Sequence, residues 1–417
     1  MAADGVLINN GEQNKGTALK LVEIEHVRAR YQEAGMQSNA DDLMELYRSF
    51  LEESAAKFKG KSSSFSRAKP LLAFDPSSFF SPDLSAETNE AVLKDIVTLS
   101  YSIADDSEVD IALCLPDREK CLQVKNFRFE CCPFEDGPFW MLTKSQKEVA
   151  ASLAEKAKVG RLALFVGAGI SISSGAPSWG GLLDDLATMA GMSEEDREAL
   201  KSLSFLDQPQ IIEDEMGDEF KPNVAKLVQQ ASRFTPAHAL LKTLKSPAVT
   251  TNYDDLYENA ARSCGDIVPI LPWESRKLIK LNHPDENSLL KLHGSVDHPE
   301  SIVLSRTDYM RYEDNAQALR GRLHSLFLTK EVLFLGFSMT DDNVHKVIDD
   351  VRKVVYEDGE PPETKLGTIL SMTDNDMFTR LWEKDFDVYS FGKSWGDDPN
   401  WYHDCFLDLI SADVFEN

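Results

Sequence analysis

Four short segments of the chain combine glycine, amide, hydroxyl and ionisable residues in patterns able to handle a nucleotide. The first is RLALFVGAGISISSGAPSW, residues 161–179, an apolar run that ends in Gly167-Ala168-Gly169 with Ser171 two residues on. A strand that turns through glycines into a helix brings backbone amides close to a phosphate, and the helix N-terminus adds positive potential. The glycines at 167, 169 and 175 do not keep the GxGxxG spacing, so a tight turn that needs glycine for its own backbone explains them equally well.

The second segment, Thr250-Thr251-Asn252-Tyr253-Asp254-Asp255, follows another apolar run. An amide and a carboxylate just past a strand can hold ribose hydroxyls, a carboxamide or a water. They can also start a helix, with Asn252 as its cap and Asp254 and Asp255 on the positive end of its dipole. The third is Lys291-Leu292-His293-Gly294-Ser295. Of the eight histidines, His293 alone combines a strand end with a following glycine, and an imidazole there can exchange a proton near neutral pH. The fourth is VLFLGFSMTDDNV, residues 332–344, in which Gly336 and Ser338 close an apolar run and Thr340 is expected to cap a helix with Asp341 and Asp342 in its first turn. No set of spaced His, Cys or carboxylate partners points to a metal.

Elements must hold these segments. The run KSQKEVAASLAEKAK reads as a helix leading into a strand at Leu162 to Val166. Further strands are expected at Pro247–Thr251, Leu289–Leu292, Ile302–Leu304, Val332–Leu335 and Thr368–Leu370, with helices between most of them. Short apolar strands alternating with helices predict a Rossmann-like, doubly wound parallel sheet, the α/β class. The stretch between about Leu182 and Leu244 has room for several helices and no strand, which predicts a helical insertion.

Residues 1–140 carry no chemistry that we recognise. Leu43, Leu46, Tyr47, Phe50 and Leu51 lie on one face of a helix that Asn39 would cap. Residues 57–70, KFKGKSSSFSRAKP, form a basic, serine-rich island that reads as a solvated linker, or as an anion contact tuned by phosphorylation. A helix is expected over 86–103, then strands in VDIALCL (109–115) and CLQVKNFRFE (121–130) around Pro116-Asp117. The reading is therefore a smaller N-terminal α+β region, 1–140, followed by a nucleotide-binding domain, 141–417.

With 44 Lys and Arg against 70 Asp and Glu, the formal charge of −26 argues against broad nucleic-acid binding, which needs clustered cations to neutralise phosphates. No run of about 18 apolar residues exists to span a membrane. The start MAADGVLINNGEQ lacks the basic and apolar regions of a secretory signal, and none of the six cysteines forms a CxxC. A cytoplasmic protein with reduced thiols is expected.

Taken in order, GAGxS, TNxD, HG and GxS at four strand ends resemble the sirtuin fold, and within it the sirtuin-like NADase branch common among antiphage effectors. The likeness covers about residues 145–410 and is strengthened by Gly175, Pro177 and Trp179 in GxPxW and by Asp308-Tyr309. Sirtuin deacylases typically read GIPDFR where this chain has Gly175-Ala176-Pro177-Ser178-Trp179-Gly180, and they carry two CxxC pairs for a structural zinc. Only Cys405 follows His293 here, so the zinc module that helps to build a protein-substrate groove is absent.

The resemblance implies that Gly167, Ala168, Gly169 and Ser171 cradle the NAD pyrophosphate and the neighbouring ribose. It implies that Asn252 holds the nicotinamide ribose and orients a water, and that Asp254 contacts the carboxamide. His293 acts on the ribose hydroxyls, and Gly336 and Ser338 line the phosphate and adenosine-ribose side. The activity so implied is NAD+ glycohydrolysis, with NAD as substrate, no metal, and control by homo-oligomeric assembly or a trigger in which residues 1–140 take part. A non-catalytic NAD or ADP-ribose sensor is the alternative, with protein deacylation or ADP-ribosyl transfer behind it.

Overall fold

A computed structural model describes residues 5–7, 40–61, 69–74, 76, 85–115, 118–263, 266–280, 288–356, 363–372, 374–390 and 399–414. Asn39, Pro116, Asp117 and half of the serine-rich island, residues 62–68, lie outside these, as do the side chains of Leu43 and Leu46. Two compact units divide the chain, residues 1–151 with 400–417, and residues 152–399. The final helix, Pro399–Val414, all but its first residue, groups with residues 1–151 rather than with the larger unit. Polar contacts attach it. Arg128 pairs with Asp408 at 2.7 Å, and Lys125 Nζ donates to the Ala412 carbonyl at 2.5 Å.

In the smaller unit, β1 (Gly5–Leu7), β2 (Leu71–Phe74) and β3 (Asp110–Leu113) form a parallel sheet in that order. Parallel pairing demands crossovers, and helices Ala40–Ala56 and Ala86–Ser107 occupy the two intervals. Tyr47, Phe50 and Leu51 are buried in one cluster with Phe74 and Ile96, the apolar face that the spacing predicts. Residues 121–130 are not a strand; they lie in the helix Arg118–Cys131. Their alternation coexists with a helical spacing, because Val124 and Phe127, three apart, are buried with Leu93 and Val97. Burial along that stripe decides the conformation.

The larger unit holds β4 (Leu162–Val166), β5 (Ala248–Thr250), β6 (Ile270–Leu271), β7 (Leu289–Lys291), β8 (Glu331–Leu335), β9 (Gly367–Ser371) and β10 (Phe386–Ser390). All pair parallel, in the order β10-β9-β8-β4-β5-β7-β6, the doubly wound arrangement expected. Every residue of β4 is buried, as a central strand covered on both faces must be. Phe165 and Phe334, register partners on β4 and β8, stack at 4.9 Å.

Five helices from Trp179–Met189 to Pro236–Thr243 make the helical insertion, with no strand among them. The expected strand at Ile302–Leu304 does not form. These residues follow the short turn Pro299–Ser301, and Ile302 and Leu304 are buried with Leu182 and Phe220 of the insertion. Their backbone is satisfied locally, since Val303 N–H donates to the His293 carbonyl and Leu304 N–H to Asp308 Oδ2. Among the described residues no helix is long and apolar enough to cross a membrane.

One row of register partners crosses the middle of the sheet: Leu335 on β8, Val166 on β4, Thr250 on β5 and Lys291 on β7. Four consecutive strands therefore end level, with their loops about 4.8 Å apart. Between β4 and β8 the strand order reverses, the position at which open α/β sheets leave a ligand crevice. Here the two loops touch. Gly169 N–H donates to the Gly336 carbonyl at 2.8 Å, and a Cβ on Gly167 would lie 2.5 Å from that same oxygen.

Gly336 has φ +61°, and a Cβ there would lie 2.5 Å from the Ile170 nitrogen. Gly336→Ala is expected to cost about 2–4 kcal/mol in urea unfolding, from left-handed strain plus overpacking. Gly321→Ala, in a helix with open space around it, is expected to be neutral or stabilising by up to about 1 kcal/mol. Equal costs at the two sites would show that the loop contact is not as tight as described.

Candidate active site

The expected site residues come from the four level strand ends. After β4, Gly167 is buried, Ala168 is exposed, and the short helix Gly169–Ile172 carries Ser171 inward. The glycines serve close contact between loops, and the Gly167 and Gly169 amides are spent on Leu335 and Gly336 rather than left for a phosphate. After β8, Gly336 belongs to that contact, while Ser338 is exposed and bonded to Thr340 Oγ1 at 2.7 Å.

After β5, a relay of hydrogen bonds fixes Asn252. Thr250 Oγ1 donates to the Val166 carbonyl at 2.7 Å and accepts the Asn252 N–H at 2.9 Å. Asn252 Nδ2 then donates to Ser171 Oγ at 3.2 Å, which brings the GAGxS and TNxD segments into direct contact. Asn252 Oδ1 is buried and has no hydrogen-bond partner. Leaving a buried amide oxygen unpaired costs about 1–3 kcal/mol, so such an atom asks for a hydroxyl or water from a ligand. Asn252 does not cap the following helix, Leu256–Ser263; Asp254 Oδ1 accepts the Leu256 N–H instead, at 3.2 Å.

After β7, His293 is almost wholly buried. Gly294, with φ +95°, is required beside it, because a Cβ there would lie 2.3 Å from the Ser301 carbonyl oxygen. His293 Nε2 lies 3.4 Å from Asp341 Oδ2 without hydrogen-bond geometry. The rings of Tyr309 and Tyr312 stand edge-on to the imidazole at 5.3 and 5.6 Å. Burial lowers the His293 pKa, and the Asp341 carboxylate opposes that shift. The imidazole is therefore held neutral at pH 7, with a carboxylate beside it to steady the charged form.

Sequence reasoning gave Asp341 no part in the site. The helix Asp342–Val355 is capped by Asp341, whose Oδ1 accepts the Val344 N–H at 3.0 Å, and not by Thr340. Its other oxygen accepts the Tyr309 hydroxyl at 2.8 Å, and burial together with that carboxylate pushes the phenol upward. The DY pair is thus divided. Asp308 is the third helical residue of a capping box with the N-cap Ser305 and pairs with Lys221 at 2.7 Å, whereas Tyr309 reaches the site. The pairing of the fourth loop with His293 reaches across the ends of two intervening strands, β4 and β5, and has no signal in linear spacing.

Among the described residues, no group of three or more His, Cys, Asp or Glu side chains is placed to hold a metal ion. The arrangement offers an unpaired amide oxygen, a neutral imidazole backed by a carboxylate, and hydroxyls from Ser171 and Ser338. These can orient a hydroxylated substrate and accept a proton from water or from a sugar hydroxyl.

Residues 247–385 match the family described as SIR2-like domain. That segment holds β5 to β9 with Asn252, Asp254, His293, Gly336 and Ser338, and β4 lies between its β5 and β8 in the sheet. The chain is 31% identical over 228 residues to NAD(+) hydrolase ThsA of Enterococcus faecium, covering 52% of this chain and 45% of that protein. It is 29% identical over 199 residues to NAD(+) hydrolase ThsA of Bacillus cereus (strain MSX-D12), covering 47% of this chain and 41% of that one. Defense-associated sirtuin 2 of Bacillus subtilis matches at 27% over 230 residues, 54% of this chain and 22% of its own length. The chain thus spans less than half the length of each of these relatives.

His238 lies close enough to Asp254 to feel its charge, and burial lowers its pKa from 6.5 to about 4. The unfolded chain takes up a proton near pH 6.5 while the folded imidazole does not until about pH 4, so stability present above 6.5 is lost as pH falls through that window. His238→Gln is expected to remove about 3 kcal/mol of this loss, read as a flatter dependence of the urea midpoint on pH. A midpoint as pH-sensitive as the parent's would place the titration elsewhere.

Proposed function

We propose that this chain, whose residues 247–385 match a SIR2-like domain, is a member of the sirtuin-like family and an NAD+ glycohydrolase releasing nicotinamide and ADP-ribose. The observation that carries this reading is the buried, unpaired Asn252 Oδ1, held beside Ser171 on the strand next to that of His293. The names of the relatives, NAD(+) hydrolase in three organisms besides Enterococcus faecium, supply the substrate class.

In the reaction, the bond from ribose C1′ to the pyridinium nitrogen breaks and its electron pair stays with nicotinamide, which leaves neutral. A water oxygen bonds to C1′ and gives up one proton. Asn252 Oδ1 accepts a hydrogen bond from that water or from a ribose hydroxyl and so fixes its direction. His293, neutral because it is buried, takes the proton or holds a ribose hydroxyl. Asp341 stabilises the imidazolium that forms, and Tyr309 holds Asp341 in place. Gly167, Ala168, Gly169 and Ser171 bound the diphosphate side, Gly336 and Ser338 the adenosine-ribose side, and Asp254 the carboxamide. Two glycine amides are already engaged, so Ser171 and the exposed Ala168 carry more of the diphosphate contact than the glycines do.

We place the enzyme in the cytoplasm and in a defence role, after the relative named a defense-associated sirtuin. An NADase without control would drain a cell, so activity rises on homo-oligomeric assembly or on a trigger received by the N-terminal unit.

Purified protein is expected to convert NAD+ to nicotinamide and ADP-ribose. Asn252→Ala and His293→Ala should each lower kcat by about 10²–10⁴-fold. Asp341→Asn keeps an oxygen to cap the helix but loses the charge, and should lower kcat by about tenfold or more and shift the acid limb of its pH profile downward. Saturable ADP-ribose binding without turnover, at low and high protein concentration alike, would instead establish the sensor.

A further inference from the structure

Lys291 has no part in the reaction as written, yet it is among the most completely buried side chains of the protein. It is the last residue of β7 and the register partner of Thr250. Its ammonium donates to the Asp254 carbonyl at 2.6 Å, the Tyr253 carbonyl at 3.2 Å, Ser295 Oγ at 3.1 Å and Glu258 Oε1 at 2.9 Å. Three N–H bonds thus serve four acceptors. Two acceptors are backbone atoms of the loop that carries Asn252, and a third lies two residues past His293. Glu258, on the helix that follows the Asn252 loop, balances the charge, and its carboxyl is pushed up by burial while Lys291 opposes the shift.

Stability does not account for this arrangement. A buried ion pair can generally be replaced by apolar residues of similar volume at little cost, whereas removing one partner alone is strongly destabilising. What the ammonium adds is geometry: it joins two loops from adjacent strands at one point.

We propose that Lys291 is a positioning residue that locks the loops 251–255 and 292–296 to each other and so sets the spacing between Asn252 and His293. The proposal rests on the glycohydrolase reading for its kinetic consequence, though not for its structural one. Lys291 touches no substrate. Glu258 keeps the lysine in its place, and Ser295 is the anchor on the His293 side.

The test compares the full chain with Lys291→Met/Glu258→Gln, which removes both charges and keeps the volume, and with Ser295→Ala, which removes one anchor and leaves the ammonium. Urea midpoints, NAD+ kinetics and hydrogen exchange of the two loops are measured for each. The double variant is expected to stay folded with a lowered urea midpoint, because the acceptors of Lys291 lose its donated hydrogen bonds, to lose about 10²-fold in kcat with little change in KM, and to exchange faster in both loops. Ser295→Ala should show the same signature more weakly, confined to residues 293–296, and it decides the matter if the double variant does not fold. Parent-like kcat and loop exchange in a folded variant would overturn the proposal while leaving the glycohydrolase reading intact. If the parent itself has no turnover, that reading fails, and loop exchange alone decides: faster exchange in the variants supports the clamp and unchanged exchange overturns it.

Discussion

The contact of Gly167 and Gly169 with Gly336 is the constraint on which the site depends. Two loops at neighbouring strand ends approach until only hydrogen atoms separate their backbones, and a methyl group at any of the three positions would lie under 3 Å from backbone atoms. The contact falls where the strand order reverses, so it sets the depth of the crevice that the sheet leaves there. Because Val166 is also the acceptor for Thr250, the placement of β4 passes directly to Asn252, and from Asn252 to Ser171. The glycine turn is thus a structural keystone of the sheet edge.

Around that keystone the polar groups are kept scarce and aimed. Asn252, Asp254, His293 and Lys291 are all buried, and Asn252 Nδ2, Asp254 Oδ1 and Lys291 Nζ are hydrogen-bonded within the fold. The exceptions are Asn252 Oδ1 and His293 Nε2, which lack hydrogen-bond partners and follow register-matched residues on adjacent strands. In a low-dielectric site such atoms interact strongly with whatever hydroxyl or water is delivered to them. Asp341 supplies the countercharge, and it is held by a helix terminus and a tyrosine, so it is fixed before any substrate arrives.

Much of this is legible in the sequence because a parallel sheet writes its central strands as unbroken apolar runs. β4, β5, β7, β8 and β9 were all readable in this way, and the residues just past four of them are the candidate site. What escaped reading had physical causes. Residues 121–130 fit two periodicities, and only tertiary burial of Val124 and Phe127 selects the helical one. Ile302 and Leu304 are apolar because the helical insertion covers them, not because they pair in a sheet. β6 is too short to leave a pattern, and β10 carries Asp387 as its second residue. Asp341 and Lys291 act through partners 48 and 33 to 38 residues away in the chain, His293 for the first and Tyr253, Asp254 and Glu258 for the second, so linear spacing holds no trace of their roles.

The central claim is that four level strand ends make one nucleotide site. A crystal structure of the chain with ADP-ribose tests it most directly. The account predicts the diphosphate beside Ala168 and Ser171 and the terminal ribose against Asn252 Oδ1 and His293. A nucleotide bound away from this edge of the sheet, or in the N-terminal unit alone, would contradict it.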